Sequence, residues 1–484
     1  MTAQLLSPLS AYTNGQWHCT PGSGFTVTSP KDRRKQGERF GHACTEHLDQ
    51  AAQAASQAES SWARTPALER AKLLAQAGDR LLQQSELLID LLMNEAGKPQ
   101  PEAQAEVNAA AGFLQGFAAW AAWGEQGTSK QNGTLSVIQH KYPRGTAAII
   151  TPWNYPLSNP CQKIAAALIG GNPVIWRPST LTPAISVKLT EILHEAGLPK
   201  GVFNLLLEDG DSISKALVAH PCIQAISFTG STRVGLLISA AAAARGIAVQ
   251  CEMGGKNAAL VMPDADLDLA AQRIAFGAFG FAGQKCTAVS RLLVHQDVAS
   301  EFMAKLEAQS CLYHPGHPNE RAELIAPLIS LTQVQTLSKL VRAAAQRGLT
   351  PTQGGEVITH PPYEHGNYFA PTLLPVHCAQ DPLWQEECFG PILAIRIVTQ
   401  LDDAIADINN SRYGLGAAIF SNDLHTIRQF SRDVQAGVIK INDVPPGLYP
   451  HISAGGWKLS GAGLNELSED GVDFFMRKKS IYLI

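Results

Sequence analysis

The sequence predicts an α/β protein of two domains, each built on a mostly parallel sheet. Three observations carry this. Short apolar runs alternate with helical stretches along most of the chain. At 484 residues the chain is too long for one hydrophobic core. Its 45% hydrophobic and 17% charged content is that of a globular protein.

Apolar spacings near three and four predict helices over Asp49 to Ala63, Pro66 to Lys98 and Val107 to Trp123, with Trp120 and Trp123 on one face. Alternation from Thr134 to His140 predicts a strand, and Ala147 to Ile150 a buried one. A helix over Cys161 to Leu168 and a strand over Val174 to Trp176 follow. Pro183 to Ala196 is helical, with proline in the first turn, where its missing N–H costs nothing. The alternation continues with strand Val202 to Leu207, helix Ser212 to Ala219, strand Ala225 to Phe228, helix Arg233 to Ala244 and strand Val249 to Glu252. The second half repeats it. Helix Leu267 to Phe279, strand Ser290 to Val294, and helices Val298 to Leu306 and Ser330 to Arg347 come first. Strand Ile392 to Val398, helices Leu401 to Asn409 and Leu424 to Val434, and strand Gly437 to Ile441 complete it. The run around Ser480 to Leu483 reads as a strand that needs a partner, either Leu135 to Gln139 or another subunit.

A net charge of -4 without a long basic run excludes nucleic acid as an expected partner. No apolar stretch is long enough to span a bilayer, and no signal pattern opens the chain, so a cytoplasmic protein is expected. Nine cysteines, an odd number without paired spacing or histidines at ligand distance, predict neither a disulfide scaffold nor a metal site.

Four constellations bear chemistry. Cys286 follows an apolar, glycine-rich stretch and is either an inert core thiol or a nucleophile. Glu252, at a strand end before Gly254 and Gly255, is either a carboxylate raised in pKa and able to take a proton, or a salt-bridge partner of Lys256 or Arg245. Asn154, between prolines at the end of a buried strand, either donates to an oxyanion or holds a turn. Gly230 and Ser231 open a helix after a strand, where free N–H groups can face an anion; a purely structural turn reads equally well.

In the order Pro152-Trp153-Asn154-Tyr155-Pro156, Phe228-Thr229-Gly230-Ser231, Glu252-Met253-Gly254-Gly255-Lys256, Gly283-Gln284-Lys285-Cys286 and Glu386-Glu387-Cys388-Phe389-Gly390-Pro391, the chain resembles the NAD(P)-dependent aldehyde dehydrogenase family. The likeness extends from the Tyr12 to Trp17 opening to the last strand. It implies a Rossmann-like cofactor domain over 1–123 and 144–253, an oligomerisation arm over 124–143, a catalytic domain over 254–451 and a C-terminal segment, 452–484, returning to the arm of a homodimer or homotetramer. It implies that Cys286 attacks the aldehyde, that Asn154 and the Cys286 N–H hold the oxyanion, and that Glu252 activates water, with Lys163 in support. It further implies cofactor contacts at Trp153, Gly230, Ser231, Glu387 and Phe389.

Two departures from the family pattern bear on specificity. Arg177-Pro178-Ser179-Thr180 stands where NAD-preferring relatives carry a glutamate that grips the adenosine ribose. Thr180 does not repel a 2′-phosphate, and Arg177 is suited to bind one, with Ser179 between them, so NADP or dual use is expected over NAD alone. Ala454 replaces an aromatic residue of the substrate tunnel, whose mouth is open unless Tyr449 or His451 refills it. Gln162 and Lys285 make the tunnel polar and favour a semialdehyde with a polar or acidic tail. The rival readings are a CoA-acylating enzyme, a broad aliphatic or aromatic aldehyde dehydrogenase, and an inactive binding protein of the same fold.

Overall fold

The computed structural model describes residues 8–20, 22, 24–121, 128–132, 135–313 and 324–483. Its first sheet has the strand order β2 (Gln16–Cys19), β1 (Leu9–Thr13), β9 (Phe203–Leu206), β8 (Val174–Arg177), β7 (Ala147–Ile150), β10 (Ala225–Thr229), β11 (Ala248–Glu252), β20 (Gly461–Ala462). The five strands from β9 to β11 are parallel. The chain lays down β7, β8 and β9 to one side, then β10 and β11 to the other. That reversal beside β7 opens a crevice at the carboxyl ends of β7 and β10, the place where doubly wound sheets bind ligands.

These strands are buried on both faces, which explains their near-continuous apolar sequences. Ile149 and Trp176 join one core cluster, while Ala148, Ile150, Ile175 and Phe228 join the cluster on the opposite face.

The second sheet is parallel throughout, in the order β14 (Thr372–Pro375), β15 (Ile392–Val398), β13 (Val289–His295), β12 (Asn257–Val261), β17 (Gly416–Phe420), β18 (Val438–Ile441). A third, antiparallel sheet joins β21 (Met476–Leu483) to β6 (Leu135–Pro143) and β6 to β5 (Thr128–Asn132). The partner expected for the last strand is therefore found within the same chain, with Ile481 opposite Ile138. Two small ladders complete the strands: β3 (Phe25–Ser29) with β4 (Asp32–Phe40), and β16 (Tyr413–Gly414) with β19 (Trp457–Lys458).

Several elements differ from expectation. The helix expected over Pro66 to Lys98 is three pieces, Ala67–Gln83, Ser85–Leu91 and a wider π turn, Leu92–Ala96. Gln84 breaks the first junction with φ -103 and ψ 21, and Gly97 ends the last in a left-handed conformation. The next helix is Gln100–Trp120, and the expected Trp123 lies outside the described residues, as does Thr134 at the start of the expected strand. Strands β1 and β2 escaped notice although Asn14-Gly15 marks them. Both residues have positive φ, 50 and 79, as a two-residue hairpin turn requires. Strands β12 and β17 are not predicted because their short apolar runs, Ala258 to Val261 and Gly416 to Phe420, carry no periodicity. Among the described residues no helix is long and apolar enough to cross a membrane.

Candidate active site

Four strands of the first sheet deliver site residues at or just beyond their carboxyl ends. Beyond β7, the Asn154 amide donates through Nδ2 to the Gln284 carbonyl at 3.1 Å, while its Oδ1 accepts from the Tyr155 N–H at 3.1 Å. The side chain is buried and fixed at both ends, and its Nδ2 keeps a second N–H beside the Cys286 loop. Tyr155 leads into helix Ser158–Ile169. Glu106 caps that helix, accepting from the N–H groups of Leu157 at 2.9 Å and Ser158 at 3.1 Å, and pairs with Lys98 at 2.7 Å.

On this helix Lys163 is buried and does not stand alone. Its ammonium pairs with Glu466 and donates to Ser227 Oγ at 3.0 Å. Gln162 donates to the other oxygen of Glu466 at 2.5 Å. Glu466 was missed in the sequence. The clue was Lys163 itself, since a lysine inside an otherwise apolar helix needs a counter-charge.

Glu252 ends β11, opposite Gly461 of β20. Burial, followed by the charge of Glu466, pushes its carboxyl pKa well above the ordinary range, against the opposing pull of Lys163 and the Gly456 amide. The salt-bridge alternative is not what forms. Lys256 turns to Cys388 Sγ at 3.9 Å, and Arg245 donates to the carbonyls of Val218, His220 and Ile223.

The second sheet contributes residues ahead of its strands. Cys286 precedes β13, after a turn in which Phe281, Ala282 and Gly283 all have positive φ. Asn257 Nδ2 donates to the Cys286 carbonyl and to the Ala288 carbonyl, both at 2.8 Å, and its Oδ1 accepts from Gly416 N–H at 2.9 Å. Gln284 is wholly buried and bonds to Phe281, Pro327 and Ile329 backbone groups. The Cys286 thiol is pushed up to about 12, chiefly by burial and then by the charges of Glu252, Glu387 and Glu466. Burial thus favours the thiol over the thiolate.

Glu387 and Phe389 precede β15. Glu387 accepts from the Gly255 N–H at 3.0 Å, and a Cβ on Gly254 would lie 2.2 Å from its Oε2, so only glycine fits there. Burial raises its pKa, partly offset by the Gly255 N–H, Lys256 and Arg412. Phe389 takes a positive φ of 49 and meets Trp153 edge-to-face at 5.6 Å between ring centroids.

Of the other residues expected at the cofactor, Trp153, Arg177, Ser179, Thr180, Gly230 and Ser231 stand at or beyond the carboxyl ends of β7, β8 and β10. Ser231 caps helix Thr232–Arg245 by accepting from Val234 N–H at 3.4 Å. Gly230 is required by close contact. A Cβ there would sit 2.5 Å from the Phe228 ring. Thr229 Oγ1 and Thr232 Oγ1, on either side of Gly230 and Ser231, are buried without a partner among the described residues. Hydroxyls left open at a helix N-terminus fit the phosphates of a dinucleotide.

Arg177 is already engaged, donating to the Gly210 carbonyl at 2.6 Å, although its Nε lacks a partner. Ser179 Oγ accepts from the Leu181 N–H at 3.2 Å, and Thr180 lies beside it, half-buried.

The residues expected around the substrate differ in detail from expectation. Ala454 bridges to Glu466 through two backbone hydrogen bonds, while Tyr449 and His451 stand exposed. Gln162 and Lys285 are both committed to carboxylates, Glu466 and Glu102, rather than offered free.

Residues 17–481 match the aldehyde dehydrogenase family. The alpha-ketoglutarate semialdehyde dehydrogenase of Haloferax volcanii is 35% identical over 99% of both chains. The 2,5-dioxopentanoate dehydrogenase of Saccharolobus solfataricus is 35% identical over 87% of this chain and 88% of its own. The fold matches betaine aldehyde dehydrogenase from Staphylococcus aureus in complex with NAD+, with a TM-score of 0.94 and 28% identity over 99% of this chain and 95% of that one. By sequence and by fold, the chain belongs to the aldehyde dehydrogenase family and is an NAD(P)-dependent enzyme that oxidises an aldehyde to its acid.

Proposed function

We propose that Cys286 carries the oxidation and that the physiological substrate is a semialdehyde with a polar or acidic tail. The observation that supports this best is the close approach of three segments: a Cβ on Gly255, three residues beyond Glu252, would lie 2.6 Å from the Cys286 carbonyl oxygen, and the Gly255 N–H donates to Glu387 at 3.0 Å. The Glu252 carboxylate takes the thiol proton as Sγ bonds to the aldehyde carbon. The oxygen becomes an alkoxide, held by the free N–H of Asn154 Nδ2 and the Cys286 backbone N–H. A bound NAD(P)+ supplies the acceptor for the hydride leaving that carbon. With a thioester on Sγ and its first proton passed to solvent, Glu252 takes a proton from water as the oxygen adds to the acyl carbon, then returns it to the sulfur as the C–S bond breaks and the acid leaves. Burial and then Glu466 raise the proton affinity of Glu252, and Lys163 offsets part of the rise.

Trp153, Phe389 and Glu387 would border the nicotinamide end of the cofactor, Gly230 and Ser231 the phosphates, and Arg177, Ser179 and Thr180 the adenosine ribose. The uncharged Thr180 leaves room for a 2′-phosphate, and Arg177, secured by the loop at Gly210, lends positive charge from behind. NADP or dual use follows. We assign the first sheet with its helices as the cofactor domain and the second as the catalytic domain. Strands β5, β6 and β21, the last exposed along nearly its whole length, form the arm of a homodimer or homotetramer. The free cysteines suit a reducing cytoplasm.

The relatives that act on semialdehydes support the substrate class. A panel of acidic semialdehydes, alkanals and aromatic aldehydes, each assayed with NAD and with NADP, tests it. Acidic semialdehydes are expected to show the highest kcat/KM, with acid formed in the absence of CoA. Equal turnover of long alkanals would overturn the substrate class, and activity only with CoA would overturn the hydrolytic step.

A further inference from the structure

Beside Cys286 lies a charge pair that the chemistry above does not use. The Lys285 ammonium meets Glu102 Oε2 at 2.7 Å and lies 4.6 Å from the centre of the Phe276 ring. The two partners are unequally covered: the Lys285 side chain is 1% exposed and that of Glu102 14%. Glu102 is therefore the outer member of the pair and covers the cation.

Gly280 makes the arrangement possible. A Cβ at that position would stand 2.9 Å from Lys285 Nζ and 3.1 Å from Glu102 Oε1, in the space the pair occupies. Lys285 stands in the chain between Gln284, whose carbonyl accepts from Asn154 Nδ2 at 3.1 Å, and Cys286, which ties the pair to the reacting centre. On the same side, Lys98 lies 3.8 Å from the centre of the Tyr155 ring.

We propose that Glu102 sets the charge selectivity of the substrate-tail site by covering Lys285, the cation that a carboxylate tail would bind. This rests on Cys286 being where the aldehyde reacts. A carboxylate tail reaching toward Lys285 must first meet Glu102, and like charges at contact distance oppose one another. An uncharged tail does not face that opposition. The pair thus moderates acidic substrates without excluding them, because Lys285 can be shared once the tail is seated.

The test compares kcat/KM for succinic semialdehyde with that for butanal, an uncharged aldehyde of equal chain length, in wild type, Glu102→Gln, Glu102→Asp and Lys285→Met. Glu102→Gln is expected to raise the ratio of acidic to uncharged about tenfold through KM, Lys285→Met to lower it by a similar factor, and Glu102→Asp to leave it near wild type. The double variant Glu102→Gln/Lys285→Met should behave like Lys285→Met, since without the cation there is nothing to uncover. An unchanged or lower ratio in Glu102→Gln overturns the proposal, as does an equal loss on both aldehydes in Lys285→Met, which marks a loop support only. If wild type oxidises neither aldehyde, the reading of Cys286 fails instead.

Discussion

The two parallel sheets meet at the site from opposite ends. The first offers residues at or beyond the carboxyl ends of its strands: Asn154 after β7, Thr180 after β8, Gly230 after β10 and Glu252 closing β11. The second offers residues ahead of the amino ends of its strands, Cys286 before β13 and Glu387 before β15. Residues at a strand's carboxyl end inherit their position from the hydrogen-bonded ladder and the helix that follows. Residues ahead of a strand have no ladder behind them. Side chains hold them instead: Asn257 grips the Cys286 carbonyl, Gln284 spans three backbone groups, and Gln333 donates to the carbonyls of Cys388 and Phe389. What the first sheet offers is placed by backbone geometry, and what the second offers by amide side chains.

The sharpest way to break this contrast is at Cys286. Cys286→Ser should lower aldehyde-dependent NAD(P)H formation by about a thousandfold or more while leaving the thermal midpoint unchanged, since serine fits the space. Steady-state assays and a melting curve read the two outcomes.

Glu252→Gln tests the first sheet's contribution to the same reaction. Hydrolysis of the acyl-enzyme should slow by about a hundredfold or more, and the thioester should accumulate to an extent visible by mass spectrometry of the intact protein. Because the carboxyl pKa is raised, wild-type deacylation should climb as pH rises through that value, and Glu252→Gln should flatten the climb.

Asn257→Ala probes the side-chain scaffold directly. Losing three buried hydrogen bonds should cost about 3 kcal/mol of stability and about tenfold or more in kcat/KM, with the affinity for NAD(P) unchanged. Weaker dinucleotide binding by titration would show that the two halves are not separately built.

The smallest effect is expected at Glu95, on the cofactor side. It accepts from the N–H groups of Ala184 and Ile185, and its pKa is pushed up to about 7 by burial. Since the folded state then holds the proton more tightly than the unfolded chain, this group's contribution is fully present below the ordinary 4.5 and is lost as pH rises through about 7. The side chain is partly exposed, so the loss should be about 2 kcal/mol. Denaturant titrations of Glu95→Gln should lack that slope.

The same contrast explains what was legible in the sequence. Strands β7, β10 and β11 announce themselves as apolar runs, and the residues at their ends sit in short local motifs, so Asn154, Gly230 and Glu252 could be named. Cys286 and Glu387 could be named from motif order, but not the groups that hold them. Asn257 lies far from Cys286 in the chain, and no local spacing connects the two. Glu466 was hidden for the same reason. Lys285 was read as a free cation because Glu102, distant in sequence, is what covers it. The helix break at Gln84 was invisible because the apolar spacing runs on across it, whereas the Asn14-Gly15 hairpin carried a plain signal that was passed over.

The pairing of β20 with β11 has a consequence for the order in which the enzyme is made. Glu252 emerges from the ribosome long before Gly456 and Glu466, the first of which supplies its amide contact while the second adds to the proton affinity that burial raises. A nascent chain that already displays Cys286 therefore carries Glu252 without either influence until its last residues arrive.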